Sequence, residues 1–424
     1  MYKLHFDTHD GSKLVCEYDP HTSEINGIPL TNLKDKQFRP INKISPENPG
    51  RKVSNVSRLK IQLGLQCNFD CPYCLQRSQI ADATHSRLSD AKIFIANLDK
   101  WLTSSPNKIE FWGGEPMLYW KKIAYLLPIL REKFPQANFS IVTNGSLLTQ
   151  EIIDTICEYD IGIAISHDGP GQYIRGPDPF DDPGQYAMIR ELILRRPKMN
   201  NASHKVAFNS VLTPNNFDFE KIEAFFRERF GGTVAVNLEG VVVAYNGSSE
   251  YVFTADQYKE LSQSIAKVCM RDWDKIPMAL QSKMSNFMSS LSQKRSSDYL
   301  SQKCGMDRED QLAVDLLGNV MTCQNTGAQG KHRIGHVLSL DKVRLNTSWH
   351  WSHRKECSGC PVLQLCAGSC MYVEGKEWFH SCNNEYFYNV GIMVGAFYHM
   401  SGKKAILTKI EGEIVRPDPN EYGI

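Results

Sequence analysis

Residues 58–74 read RLKIQLGLQCNFDCPYC. The opening RLKIQLGL has the apolar content of a short buried strand, and the remainder sets Cys67, Cys71 and Cys74 directly behind it. Three thiols are too many for one disulfide and one short of a closed tetrahedral metal site. The spacing suits a cluster with one position left open, a zinc site lacking a protein ligand, or unligated thiols.

Outward from this stretch, apolar runs alternate with amphipathic ones. KIEFWGG, NFSIVTNG, IGIAISHDG, KVAFNSVLT and TVAVNLEGVVV read as further strands. SDAKIFIANLDKWLTSS, WKKIAYLLPILREKF and TQEIIDTICEY between them read as helices. This βα order predicts an α/β fold with a parallel sheet and helices on its outer face. About six units argue for a partial (β/α)6 TIM-type barrel rather than a closed one of eight. Active sites of such folds gather at the C-terminal ends of strands, where the cysteine trio lies.

The flanks differ. YKLHF and KLVCEY alternate around DTHDGS, and EINGIPL adds an Asn-Gly turn, so residues 1–58 read as a β-rich segment that ends in the linker INKISPENPGRK. Residues 59–254 form the βα domain, 255–303 a helical connector, and 304–424 a Cys- and Gly-rich, irregular domain.

Net charge is +1, with 42% apolar and 22% charged residues, which points to neither a nucleic-acid nor a membrane partner. No run approaches the roughly 18 apolar residues of a membrane span. The N-terminus carries acids and no apolar h-region, so a cytoplasmic, reducing compartment is the expectation. Thirteen cysteines there call for an explanation other than disulfides. They fall into the trio and a second group, Cys304, Cys323, Cys357, Cys360, Cys366, Cys370 and Cys382, with Cys16, Cys157 and Cys269 alone. Metal ligation by thiolates is the leading reading.

Cys-x3-Cys-x2-Cys, with Tyr73 before the third cysteine, resembles the signature of the radical S-adenosylmethionine (SAM) superfamily. The resemblance implies a [4Fe–4S] cluster whose open iron binds SAM, reductive cleavage to a 5′-deoxyadenosyl radical, and hydrogen abstraction from substrate. A flavodoxin- or ferredoxin-type reductant would supply the electron. Downstream motifs match in order. FWGGEP at 111–116 resembles the Gly-Gly-Glu motif, implying that Gly113, Gly114 and Glu115 bind the methionine ammonium. VTNG at 142–145 implies Asn144, and ISHDGP at 165–170 implies Ser166 and Asp168. YIRG at 173–176 implies Arg175 against the methionine carboxylate, and Tyr73 is expected to pack on the adenine or the cluster.

The second group resembles the SPASM extension: Cys304-x13-Gly318-x4-Cys323, then Cys357-x2-Cys360-x5-Cys366-x3-Cys370, then Cys382. The resemblance implies two auxiliary [4Fe–4S] clusters, three in all. Cys357, Cys360, Cys366 and Cys382 would hold one, while Cys304, Cys323 and Cys370 would hold the other with one ligand missing. SSDYLSQK, just upstream, offers no further cysteine. Cys269 could fold back to fill the place, but its helical surroundings favour a buried free thiol. Cys16 and Cys157 are expected to be structural.

Relatives of this kind modify ribosomally made peptides, so an oxidoreductase acting on a precursor peptide is expected. A small-molecule radical enzyme, a sulfatase-maturase-like protein oxidase and a non-catalytic iron–sulfur module are the alternatives. Sulfatase maturases carry an aspartate as proposed base after the cysteine matching Cys323, and this chain has Gln324. No catalytic base is assigned; Asp315 and His336 are guesses with no motif behind them.

Overall fold

A computed structural model describes residues 1–27, 41–76, 87–196, 206–233, 235–241 and 251–422. YKLHF becomes part of strand β1 (Tyr2–Thr8), whose Tyr2, Leu4 and Phe6 are buried in alternation. It pairs antiparallel with β2 (Lys13–Asp19), and a two-residue β3 (Glu24–Ile25) follows. Ile28, Pro29 and Leu30 of EINGIPL lie outside the described residues.

The predicted strand before the trio is β4 (Arg58–Gln62). Leu59, Lys60, Ile61 and Gln62 are all buried, as befits a strand covered on both faces. After it come α1 (Leu88–Leu98), β5 (Lys108–Trp112), α2 (Trp120–Lys133), β6 (Asn138–Thr143), α3 (Gln150–Glu158) and β7 (Gly162–Ser166). Then follow α4 (Pro183–Arg195), β8 (Val206–Leu212), α5 (Phe219–Phe230) and β9 (Ala235–Val241). Local chemistry starts these helices. Thr149 caps α3 by accepting from Ile152 N–H, and Asp218 caps α5 by accepting from Glu220 and Lys221 N–H. Ile152, Ile153 and Ile156 then form the buried stripe of α3.

The predicted helical stretch is α6 (Ala255–Cys269) and α7 (Met278–Ser292). Beyond 304 the chain is more regular than its composition suggests. It forms β10 (Gln311–Asp315), β11 (Asn319–Met321), β12 (Arg333–His336) and the short α8 (Lys355–Ser358) and α9 (Leu363–Cys366). A 26-residue α10 (Gly375–Met400) and β13 (Ala405–Glu411) complete it.

The larger sheet has the order β12-β11-β10-β4-β5-β6-β7-β8-β9. Strands β4 to β9 run parallel in sequence order, and β10 adds a seventh parallel strand beside β4. The expectation of six strands was one short, because β10 reaches the sheet from the far side of the helical connector. The smaller sheet has the order β13-β1-β2-β3, so the N-terminal strands are completed by the C-terminal one. Phe6 meets Phe397 of α10 edge-on at 5.4 Å, tying this sheet to the long helix. Helix α10 also packs closely on α6. A Cβ on Gly395 would fall 2.2 Å from Cys269 Cβ, and one on Gly391 would fall 2.5 Å from Ser262 O.

No described helix is long and apolar enough to cross a membrane.

Candidate active site

The C-terminal ends of β4 to β7 enclose a cavity of about 250 Å³. Cys67, Cys71 and Cys74 line it from the loop after β4. That loop is fastened to β5 by backbone. Leu63 N–H donates to Trp112 O (2.8 Å), Gly114 N–H to Gly64 O (3.1 Å) and Glu115 N–H to Gln66 O (2.8 Å). Glycine is required there. A Cβ on Gly114 would lie 2.2 Å from Gln66 O, and one on Gly113 2.7 Å from Gly64 O. The close approach expected of these glycines therefore includes one to the cysteine loop itself.

Burial pushes Cys67 up to about 11 and Cys71 to about 12, with neighbouring thiols of the trio adding to both. Such thiols are neutral at pH 7 until a metal displaces the proton.

Glu115 is fully enclosed. Its Oε1 accepts from Met117 N–H (3.0 Å) and Thr143 Oγ1 (2.7 Å), and Oε2 accepts from Asn144 N–H (2.7 Å). Burial pushes its carboxyl above the usual range, and these donors pull against that shift. A carboxylate offers about four acceptor positions, so one stays available to a ligand. The Asn144 side chain donates to Asn68 Oδ1 (2.8 Å), linking the end of β6 to the cysteine loop.

Behind the trio sits a buried charged group. Tyr73 Oη donates to Asp168 Oδ2, and Arg175 Nη1 donates to Tyr73 Oη (3.1 Å) while lying 3.7 Å from Asp168 Oδ1. Burial alone would lower the proton affinity of Arg175, but Tyr73, Asp168 and Cys71 raise it above the usual value. Among the described residues Arg175 Nε is buried with no hydrogen-bond partner. A guanidinium on the wall of this cavity is the donor type a carboxylate would satisfy.

Of the residues expected at the cofactor, Tyr73, Gly113, Gly114, Glu115, Asn144, Ser166 and Arg175 line this one cavity. Asp168 does not. It is fully buried behind it, where Oδ1 also accepts from Val211 N–H (2.9 Å). Its structural role was hidden because that partner comes from β8, more than 40 residues away.

Asn325 also lines the cavity and was missed. It arrives on the loop after Cys323, which β4 and the cysteine loop grip. Gln62 Nε2 donates to Gln324 O (3.1 Å) and Thr326 O (3.0 Å), Gln76 Nε2 to Gln324 O (3.1 Å), and Lys60 Nζ to Gln324 Oε1 (2.8 Å). The only signal was the departure at Gln324, one residue before it. Asp315 and His336 are not at this cavity. Asp315 accepts from Leu317 and Asn319 N–H and so holds the β10–β11 turn, while His336 Nε2 sits 3.0 Å from Leu317 O.

The C-terminal cysteines sort into two neighbourhoods. Burial raises the proton affinity of Cys357, Cys366 and Cys382, and each is raised further by others of the set Cys357, Cys360, Cys366 and Cys382. Burial likewise pushes Cys323 to about 12, with Cys370 and Cys304 adding to it, and Cys370 to about 11, with Cys304 adding. Cys269 joins neither set; it is buried between α6 and α10. Among the described residues no three His, Cys, Asp or Glu side chains converge where a single ion would sit.

Residues 61–179 match the family model described as Radical SAM superfamily. The chain is 21% identical over 366 residues to the radical SAM cyclopropyl synthase TigE of Paramaledivibacter caminithermalis, covering 82% of this chain and 74% of TigE. It is 33% identical over 99 residues to the GTP 3′,8-cyclase of Clostridium acetobutylicum, covering 23% of this chain and 30% of that one. Among solved structures, anSMEcpe with AdoMet and the Cp18Cys peptide bound superposes with TM-score 0.59 at 17% identity. It covers 81% of this chain and 98% of that one. That likeness shows a shared fold.

Proposed function

We propose that this protein, whose residues 61–179 match the Radical SAM superfamily model, is a radical SAM/SPASM enzyme that oxidatively modifies a precursor peptide. The parallel array β4 to β9 is read as the partial barrel, and the segment from 304 onward as the SPASM extension. One observation carries the reading. Ten cysteines fall into three neighbourhoods, and the first shares its cavity with seven of the eight residues expected at SAM.

Bound there, SAM and the cluster on Cys67, Cys71 and Cys74 would supply a 5′-deoxyadenosyl radical that abstracts a hydrogen atom. The chain's own residues do the rest. Arg175, on the cavity wall, would bind the methionine carboxylate. The free acceptor position of Glu115, with the backbone of Gly113 and Gly114, binds the ammonium. Tyr73 walls the cavity while its hydroxyl, held by Asp168, keeps Arg175 oriented. Asn325 faces the same space from the C-terminal segment and is placed to hydrogen-bond a substrate. Gln324, turned toward Lys60, is not placed as a base. That weighs against a sulfatase-maturase-like oxidation that relies on an acid at this position.

The peptide half of the reading is supported by the fold shared with anSMEcpe, whose structure holds a peptide. The likeness to the GTP 3′,8-cyclase spans too little of either chain to favour a small molecule. With dithionite under anaerobic conditions, the protein should convert SAM to 5′-deoxyadenosine and methionine. Co-expression with a short peptide from a neighbouring reading frame should change that peptide's mass. Turnover with a small metabolite and none with peptides would overturn the substrate assignment.

A further inference from the structure

Lys60 is a lysine in the wrong place for an ordinary one. It sits mid-strand in β4 and is only 5% exposed. Burying an ammonium costs several kcal/mol unless charge and hydrogen bonds compensate it. An ammonium carries three donors, yet its hydrogen bond among the described residues is the one to Gln324 Oε1. The adjacent acid, Glu110, is already committed. It accepts from Arg58 Nε and Nη2 and lies 2.9 Å from Lys108 Nζ. Other buried lysines near the cysteines are satisfied differently. Lys303 pairs with Glu385, and Lys52 donates to Met306 O and Arg308 O.

That one bond ties Lys60 to the loop that carries Cys323. Gln324 follows Cys323 directly, and its position is fixed by Gln62 and Gln76. Burial lowers the proton affinity of Lys60, Glu110 and Arg58 pull in opposite directions, and thiolates at Cys304 and Cys323 favour its charged form. Reciprocally, Lys60 eases ionisation of both cysteines. A thiolate-ligated [4Fe–4S] cluster is negatively charged and gains one more negative charge on reduction, so a fixed nearby cation favours the reduced form.

We propose that the buried ammonium of Lys60, hydrogen-bonded to a neutral glutamine at 324 rather than to an acid, raises the reduction potential of the auxiliary cluster on Cys304, Cys323 and Cys370. The neutral amide anchors the lysine without cancelling its charge, whereas a carboxylate at 324 would form an ion pair and remove the effect. The consequence is a cluster better able to take up the single electron that a substrate radical must lose, together with a proton, in a net two-electron oxidation. The proposal rests on the reading of Cys304, Cys323 and Cys370 as cluster ligands.

The test is an EPR-monitored redox titration of anaerobically reconstituted protein in a Cys67→Ala/Cys71→Ala/Cys74→Ala background. The relevant signal is assigned by its loss on Cys304→Ala. Lys60→Met and Gln324→Glu should each disfavour reduction at least tenfold, about 59 mV for one electron, while Lys60→Arg should titrate close to the parent. Gln324→Glu keeps the test open if Lys60→Met fails to fold. Parent-like potentials in both variants at full iron content would overturn the role of Lys60. A parent protein with no signal that depends on Cys304 would instead overturn the ligand reading on which the proposal rests.

Discussion

At the residue scale, buried charges in this site come in compensated groups, and each group makes a distinct prediction. Burial pushes Glu110 up, but its bonds from Arg58 and the charges of Lys108, Arg58 and Lys60 outweigh this and bring it from 4.5 to about 2. The folded-state value lies below the unfolded one, so the stabilisation is complete above about pH 4.5 and is lost as pH falls toward 2. We expect Glu110→Gln to cost on the order of 3 kcal/mol at neutral pH. The gap from wild type should narrow on acidification, as read from urea unfolding at several pH values; a gap independent of pH would refute the assignment. Asp168 anchors Tyr73, Val211 and Arg175. Asp168→Asn leaves a buried guanidinium unpaired and should cost about 3 kcal/mol, with an unchanged urea midpoint as the contrary result. The cysteines and Gly-Gly-Glu were legible in the sequence because ligand chemistry is written in local spacing. The role of Asp168 was not, because its partners Tyr73 and Val211 lie far from it in sequence.

At the element scale, the loop after β4 and the Gly-Gly turn after β5 are one unit, zipped by backbone hydrogen bonds. A methyl group on Gly114 would meet the carbonyls of Leu65 and Gln66. Gly114→Ala should therefore displace the trio and lose about four irons, while far-UV circular dichroism stays that of the wild type. Full iron content in this variant would show that the loop tolerates the shift. At the α6–α10 crossing, Gly395→Leu would force a side chain into Cys269 and should cost about 1–3 kcal/mol, measured by the urea midpoint. The βα alternation was readable because apolar runs recur at strand and helix lengths. Helix α10 was read as irregular because His380, Ser381, Asn384, Glu385 and Asn389 are buried along it and break its apolar period. Their partners, such as Tyr258 Oη on Asn384 and Lys303 on Glu385, belong to tertiary structure.

At the scale of the whole molecule, long-range pairings hold the cysteine-bearing segments together. β10 runs alongside β4, with Ala313 opposite Lys60. β13 completes the sheet begun by β1, with Lys3 opposite Glu411. No local pattern announces either pairing, which is why residues 1–58 read only as a β-rich segment ending in a linker. The same pairings bring Cys323 and its loop against β4 and put Asn325 into the cavity of the first cysteines. The account's central claim is that ten cysteines build three clusters, one of them the SAM-cleaving centre. Its most direct test is the iron content of anaerobically reconstituted protein beside the Cys67→Ala/Cys71→Ala/Cys74→Ala variant, with SAM cleavage assayed on both. The account predicts about twelve irons falling to about eight, with cleavage abolished in the variant. About four irons in the wild-type protein, or cleavage that persists without the trio, would contradict it.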